Sequence, residues 1–371
     1  MGKKKILIVV GTRPNFIKVT QFKPLSEKYP SLEIKIVHTS QHYSDEMSKL
    51  FFEELDLQPD YFLDIPTNLS VVSQMVEIMK GLEKLINEVF YPDLMMVVGD
   101  VNSTLAGALV ANKMNIPLAH LESGLRSFDD TMPEEYNRIL TDRMTKYFFV
   151  TEMDAVINLK NEGIAEDKIF FVGNTMIDTL VAFQDKIQQS KILEKLNVRS
   201  KEYALVTLHR PGNVDTEEGL KKIISLFQTL QYQFSDRIKH FVFPIHPRTA
   251  NNFRKFQLWD TLNTIPSLII TQPQSYINFQ KLVRDSLLLI TDSGGVQEET
   301  SYLKIPCITL RPSTERPVTL WEGSNILLPF ESGKIIREVN RLLNKTDFYQ
   351  HSIPMWDGRS TERILSILSM L

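Results

Sequence analysis

The sequence contains one cysteine, no long run of like charge and no long apolar segment, and each shortage removes a class of protein. A lone Cys307 excludes an internal disulfide and a multi-cysteine metal site, and it fits a reducing cytoplasm. It lies in Ile305-Pro-Cys-Ile-Thr-Leu310, where it reads as buried filler and not as a nucleophile. No uninterrupted apolar stretch approaches the roughly 20 residues of a membrane-spanning helix. The first residues, MGKKKILIVVGTRP, have a charged front, but the apolar run stops at Val10, so neither an anchor nor a cleaved export signal is expected. With 42 basic against 45 acidic side chains, the chain has no electrostatic footprint for nucleic acid or an anionic membrane surface. Any phosphate binding must be local.

What is present is length and alternation. A chain of 371 residues divides naturally into two domains of roughly 170 to 190 residues. Short apolar runs, each the length of a buried strand, recur at Ile6–Val10, Glu33–His38, Leu94–Val98, Leu118–Leu121, Tyr147–Val150 and Ile169–Val172. They recur again at Ala204–Leu208, Phe241–Ile245, Ser267–Ile270, Leu287–Thr291, Cys307–Leu310 and Ile326–Leu328. Helical patterns follow most of them, which predicts an α/β protein with two doubly wound, Rossmann-like domains facing a central cleft. The polar, lysine-rich stretch from Ala182 to Glu202 contains no strand and places the hinge near Val181 to Ser200. The expected domains are residues 1–185 and 186–357, and the two halves look like copies of one architecture.

Residues 291–299, TDSGGVQEE, sit between the apolar run that ends at Ile290 and a helix-competent segment reaching Leu303. A strand ending in a small-residue turn at a helix start suits phosphate, because free amides and the helix dipole favour anions and Gly294 and Gly295 carry no Cβ. Glu299, one to two turns inside, would reach a ribose diol. A serine-capped helix with a solvated Glu pair is the competing reading.

Polar residues gather at the other strand exits as well. Gly11-Thr-Arg-Pro14, Gly99-Asp100, Glu122-Ser-Gly-Leu-Arg126, His209-Arg210 and His246 each close a predicted parallel strand, which is where open α/β sheets bind ligands. Arg13, between a turn glycine and a proline, suits a phosphate-facing guanidinium, whereas Lys18 reads equally as a solvated helix face. Asp100 is either an acid or a helix N-cap. His120 and Glu122, two apart in an extended apolar segment, share a face, and ionisable groups there are expensive without a task. Glu134 and Arg138, four apart at the start of a helix, read as a surface ion pair or as the source of an acid or base. Arg311 and Arg316 follow the strand after the Ser-Gly-Gly turn.

Together these motifs, with Gln41-His42, Gly173-Asn-Thr and Thr314-Glu-Arg-Pro317, span nearly the whole chain and resemble the non-hydrolysing UDP-N-acetylglucosamine 2-epimerases. The resemblance implies a fold like that of GT-B glycosyltransferases, UDP held largely by the second domain, and a C-terminal helix, residues 358–371, crossing back to the first. It implies inversion at C2 by elimination and re-addition of UDP through a 2-acetamidoglucal, with no redox cofactor and no metal. Residue by residue it assigns Asp100, Glu122, Glu134 and His209 to catalysis. It assigns UDP contacts to Arg13, Lys18, Gln274, Phe279, Ser293, Gly294, Gly295, Glu299 and Arg316, with Phe279 against the uracil. A cytoplasmic homodimer feeding surface-polysaccharide synthesis is the associated expectation. An epimerase of another UDP-2-acetamido sugar, a hydrolysing relative that releases N-acetylmannosamine, and a GT-B glycosyltransferase are the alternatives. The chain departs from the family pattern at Pro211-Gly212, where many bacterial members have Arg-Glu, at Ser44 in place of a second glutamine, and at Asn15 in place of Glu. The first two departures fall on a second, allosteric substrate site, although Gln41 and His246 remain, and predict weak or absent activation by substrate.

Overall fold

The computed structural model describes residues 2–39, 52–344 and 352–371. Gln41, His42 and Ser44 lie outside these residues. The chain forms two compact units, Met1–Ala182 with Pro354–Leu371, and Phe183–Ile353.

In the first unit seven strands form one parallel sheet: β1 Lys4–Val10, β2 Leu32–His38, β3 Tyr61–Phe62, β4 Leu94–Val98, β5 Leu118–Leu121, β6 Tyr147–Val150 and β7 Ile169–Phe171. Their order is β3-β2-β1-β4-β5-β6-β7. In the second unit β8 Tyr203–Thr207, β9 His240–Pro244, β10 Leu268–Thr271, β11 Leu288–Thr291, β12 Cys307–Leu310 and β13 Asn325–Leu328 follow the order β10-β9-β8-β11-β12-β13. All the strand pairings are parallel, with β1 in register from Lys4 against Leu32 to Val10 against His38. Each sheet thus repeats the doubly wound pattern, and the strand order reverses between β1 and β4 and between β8 and β11. At such switch points the neighbouring loops diverge to opposite faces and leave a crevice.

The expected α/β class with two parallel sheets is what the chain forms, because the central strands are apolar on both faces. Ile6, Leu7, Ile8 and Val10 are wholly buried, as are Met95, Met96, Val97 and Val98. Burial of each such side chain contributes about 1.5–3 kcal/mol relative to exposure. β3 is the strand that the sequence pattern does not reveal, since two residues show no alternation. Cys307 is fully buried in β12, and burial pushes its thiol up to about 11, as expected of a filler residue.

Two short helices, Gln184–Gln189 and Ile192–Leu196, occupy the polar stretch after Ala182 and belong with the second unit. The C-terminal segment rejoins the first unit at Pro354, earlier than Gly358, because Trp356 is already buried and donates its Nε1–H to the Thr151 carbonyl at 2.9 Å. Helix Ser360–Met370 begins against Asp178, whose carboxylate accepts from the amides of Ser360 (3.0 Å) and Thr361 (2.5 Å). Gly173 permits this closure: with φ +90°, a Cβ there would stand 2.0 Å from the Met355 carbonyl oxygen. No helix among the described residues is long and apolar enough to cross a membrane.

Candidate functional site

The first unit collects its polar side chains at the β1/β4 switch point and the neighbouring exit of β5. Gly11 leaves β1 so close to helix Asn102–Lys113 that a Cβ would stand 2.2 Å from the Ser103 hydroxyl. Asn15 then fastens the loop: its Oδ1 accepts from the amides of Gly11 (3.4 Å) and Thr12 (3.2 Å), and its Nδ2 donates to the Val98 carbonyl (3.1 Å). The departure from Glu at this position therefore has a structural role, tying the exit of β1 to that of β4.

Behind this loop Lys18 and Glu122 form a buried ion pair, Nζ to Oε2 2.5 Å. The Lys18 side chain is 8% exposed and that of Glu122 2%, so the solvated-face reading of Lys18 does not hold. Gly99, with φ +66°, admits the pair; Asn15 Nδ2, Lys18 Nζ and Glu122 Oε2 all lie 3.3–3.5 Å from the position a Cβ would take. Glu122 itself adopts φ +70°, an arrangement costing on the order of 1 kcal/mol for a residue with a side chain. The amides of Glu122 and Ser123 hold it there by donating to the Phe149 carbonyl at 3.0 and 3.2 Å. Glu122 thus stands just past β5 in a left-handed conformation, and it pairs with Lys18 and not with His120. His120 is instead gripped by Asp142 (Nδ1 to Oδ1, 2.7 Å) and by the Gly99 carbonyl (Nε2 to O, 2.8 Å). Asp142 also accepts from the Gly124 amide and from Arg126. Burial works against the Asp142 charge, yet His120 and Arg126 hold its carboxyl below the ordinary range.

Asp100 and Glu134 have different surroundings. The Asp100 carboxylate accepts from Arg138 Nη2 at 2.6 Å, and its carbonyl accepts from Asn137 Nδ2 at 2.9 Å. Helix Asn102–Lys113 has Val101 at its N-cap, so Asp100 is not the cap that the sequence allowed. Arg138 bridges Asp100 and Glu135 (2.6 Å). The spacing of four that suggested a Glu134–Arg138 pair is not used. Glu134 stands half-buried in the first turn of helix Pro133–Met144 and makes no ion pair among the described residues. Arg13 is half-buried at the first position of helix Arg13–Val19.

The second unit gathers its groups around the β8/β11 switch point. Asp292, wholly buried immediately after β11, accepts from the amides of His209 (3.0 Å) and Arg210 (2.9 Å) and from Asn213 Nδ2 (3.0 Å). His209 Nδ1 lies 3.1 Å from Asp292 Oδ1. Burial opposes ionisation of Asp292, but the contacts with His209, Asn213 and Arg210 hold it below the usual carboxylate range. His246 lies beside His209 with ring centroids 5.4 Å apart. Asp292 is the residue here that the sequence does not single out: it looks like part of the turn, and its partner lies 83 residues earlier.

The turn that follows is not serine-capped. Gly295 is the N-cap of helix Val296–Leu303, no side chain caps it, and the Ser293 amide is engaged by the Thr291 hydroxyl at 3.0 Å. Gly294 approaches Glu315 and Arg311 closely, since a Cβ would lie 2.7 Å from Glu315 Oε1 and 3.3 Å from Arg311 Nη1. Arg316 is buried and paired with Glu298, Nε to Oε1 2.8 Å, while Glu299 is buried one position on. Gln274 follows β10 and donates to the Gln272 carbonyl at 2.8 Å. Phe279, on helix Tyr276–Asp285, is half-buried against a core cluster that includes Leu205, Val242 and Leu289. The first unit thus presents carboxylates beside cations, suited to proton transfer, and the second presents a helix start and a carboxylate-held histidine.

The family model for UDP-N-acetylglucosamine 2-epimerase matches residues 25–369. The chain is 43% identical to the UDP-N-acetylglucosamine 2-epimerase of Methanocaldococcus jannaschii, over 98% of this chain and 99% of that protein. It is 36% identical to the UDP-2,3-diacetamido-2,3-dideoxy-D-glucuronate 2-epimerase of Pseudomonas aeruginosa, over 99% of this chain and 100% of that protein. The crystal structure of the Methanocaldococcus jannaschii enzyme in complex with UDP-GlcNAc and UDP superposes with a TM-score of 0.88 at 41% identity, covering 99% of this chain and 100% of that one. With two doubly wound sheets, polar groups gathered at their switch points and similarity along its whole length, the chain belongs to the UDP-N-acetylglucosamine 2-epimerase family.

Proposed function

We propose that this protein interconverts UDP-N-acetylglucosamine and UDP-N-acetylmannosamine without hydrolysing the sugar nucleotide. A base removes the C2 proton, the C1–O bond to UDP breaks, and a 2-acetamidoglucal and UDP remain bound. An acid then delivers a proton to the other face of C2 while the UDP oxygen re-forms its bond to C1, so neither atoms nor electrons are lost. Asp100, Glu122 and Glu134 are assigned to the proton transfers in the first unit, with His209 as a further acid or base. The turn Ser293–Gly295, with Arg13, Lys18, Gln274, Phe279, Glu299 and Arg316, is assigned to UDP. The observation that carries the reading is the buried Lys18–Glu122 pair on a left-handed turn, because a strained, charge-bearing strand exit is costly unless it serves chemistry.

The test is incubation with UDP-N-acetylglucosamine in D2O followed by NMR of the sugar. Deuterium at C2 in a mixture of gluco and manno UDP-sugars is the expected result. Free N-acetylmannosamine would identify a hydrolysing enzyme, and transfer of the sugar to an acceptor a glycosyltransferase. The Pseudomonas aeruginosa relative motivates a second reading, in which the substrate is another UDP-2-acetamido sugar; unchanged UDP-N-acetylglucosamine with exchange on the diacetamido glucuronate would select it.

Pro211 begins the short helix Pro211–Val214 where many family members place charged residues, and this supports a site without activation by substrate. Initial rates are expected to follow a hyperbola in UDP-N-acetylglucosamine, and the reverse reaction is expected to need none added. A sigmoidal curve would reverse that assignment. A cytoplasmic homodimer acting in surface-polysaccharide synthesis completes the proposal, and sedimentation at micromolar concentration tests the dimer.

A further inference from the structure

Asp292 and the two histidines near it carry more than the epimerase reading requires. The Asp292 carboxylate is fully buried, and both its oxygens are occupied: Oδ1 faces the His209 amide (3.0 Å) and Nδ1 (3.1 Å), and Oδ2 takes the Arg210 amide (2.9 Å) and Asn213 Nδ2 (3.0 Å). An ionised carboxylate only accepts hydrogen bonds, so the 3.1 Å approach of Oδ1 favours the proton on the His209 nitrogen that faces it over a bare lone pair there. In the neutral ring Nε2 is then left with a bare lone pair, and about a third of the side chain, 34%, remains open. The neighbouring imidazole is set the other way. His246 Nδ1 accepts from the Arg248 amide at 3.2 Å, which puts the proton of the neutral ring on Nε2. Two rings with centroids 5.4 Å apart thus face fixed partners that favour opposite tautomers.

We infer that Asp292 is the positioning residue for His209, fixing its ring as the Nδ1–H tautomer so that Nε2 alone is presented to the substrate. The two exits of the switch point are coupled by this one side chain: the carboxylate that orients the histidine after β8 immediately precedes the turn Ser293–Gly295 after β11. A proton-transfer group and an anion seat therefore keep a set separation. The logic is that of any imidazole whose far nitrogen is pinned by a buried carboxylate, where tautomer and ring orientation are both selected before substrate arrives.

The inference rests on His209 acting in the epimerisation, and the experiment separates the two. The whole protein is labelled with 15N at its seven histidines, His209 and His246 are assigned with His209→Gln and His246→Gln, and long-range 15N–1H correlations are read above the titration of both rings. The expected spectrum shows His209 as Nδ1–H and His246 as Nε2–H. Asp292→Asn should then shift His209 towards the Nε2–H form and lower C2 deuterium exchange by about 10²-fold or more, with UDP affinity held within about threefold. A wild-type His209 in the Nε2–H form overturns the inference alone, and that readout does not depend on the variant folding. An Asp292→Asn protein that keeps full exchange overturns it as well. Wild-type protein that exchanges no C2 hydrogen on any UDP-2-acetamido sugar overturns the underlying role of His209.

Discussion

Glu122→Gln is expected to lower C2 hydrogen exchange from UDP-N-acetylglucosamine by about 10³-fold, the scale of losing a positioned acid or base, while UDP affinity stays within about threefold. The substitution preserves shape and removes charge. It also leaves the Lys18 ammonium buried opposite a neutral amide, where the pair stood at 2.5 Å with both side chains at most 8% exposed. An uncompensated buried charge costs on the order of 3 kcal/mol, so the variant should also unfold earlier. The two effects separate in a double-mutant cycle. Lys18→Met combined with Glu122→Gln should recover part of the stability, because no buried charge is then unpaired, yet it should recover none of the exchange. Full exchange in the single variant would remove Glu122 from the catalytic set, and equal recovery of both properties would make it a structural partner of Lys18.

The fold was legible because its signal is local. Apolar runs such as Ile6–Val10 and Leu94–Val98 are buried on both faces, and their short length together with the helical patterns between them is the mark of central parallel strands. Tyr61–Phe62 was not legible, since a two-residue edge strand has no pattern to read. The exits of the strands were legible for a similar reason: glycine, proline and charged residues break an apolar run abruptly. The pairings among those residues were not. Spacing on a helix nominated Glu134 for Arg138, but burial of the guanidinium under Asp100 and Glu135 selected different carboxylates. Alternation nominated His120 with Glu122, but the fold gives each another partner, Asp142 for His120 and Lys18 for Glu122. His209 with Asp292, and Lys18 with Glu122, pair across 83 and 104 residues of sequence, which no local rule connects.

The same first sheet holds a histidine outside the proposed chemistry, with a large expected effect on stability. His38 ends β2, 4% exposed, packed edge-on by Phe16 (ring centroids 4.7 Å), Phe62 (5.7 Å) and Phe52 (6.1 Å). Neither ring nitrogen has a hydrogen-bond partner among the described residues, so nothing there compensates a positive charge. Burial lowers the imidazole from 6.5 to about 4. The unfolded chain therefore binds a proton at a pH where the folded chain does not, and stability must fall with pH in that interval. The contribution is complete above about pH 6.5, declines as pH drops towards 4, and amounts to about 3 kcal/mol across the whole interval. Urea unfolding of the first unit followed from pH 7.5 to 4.5 should show this loss. His38→Phe, which keeps an aromatic ring among the same neighbours and cannot titrate, should flatten it. A His38→Phe protein with an undiminished slope would assign the pH dependence to other groups and require the folded imidazole to accept its proton without cost.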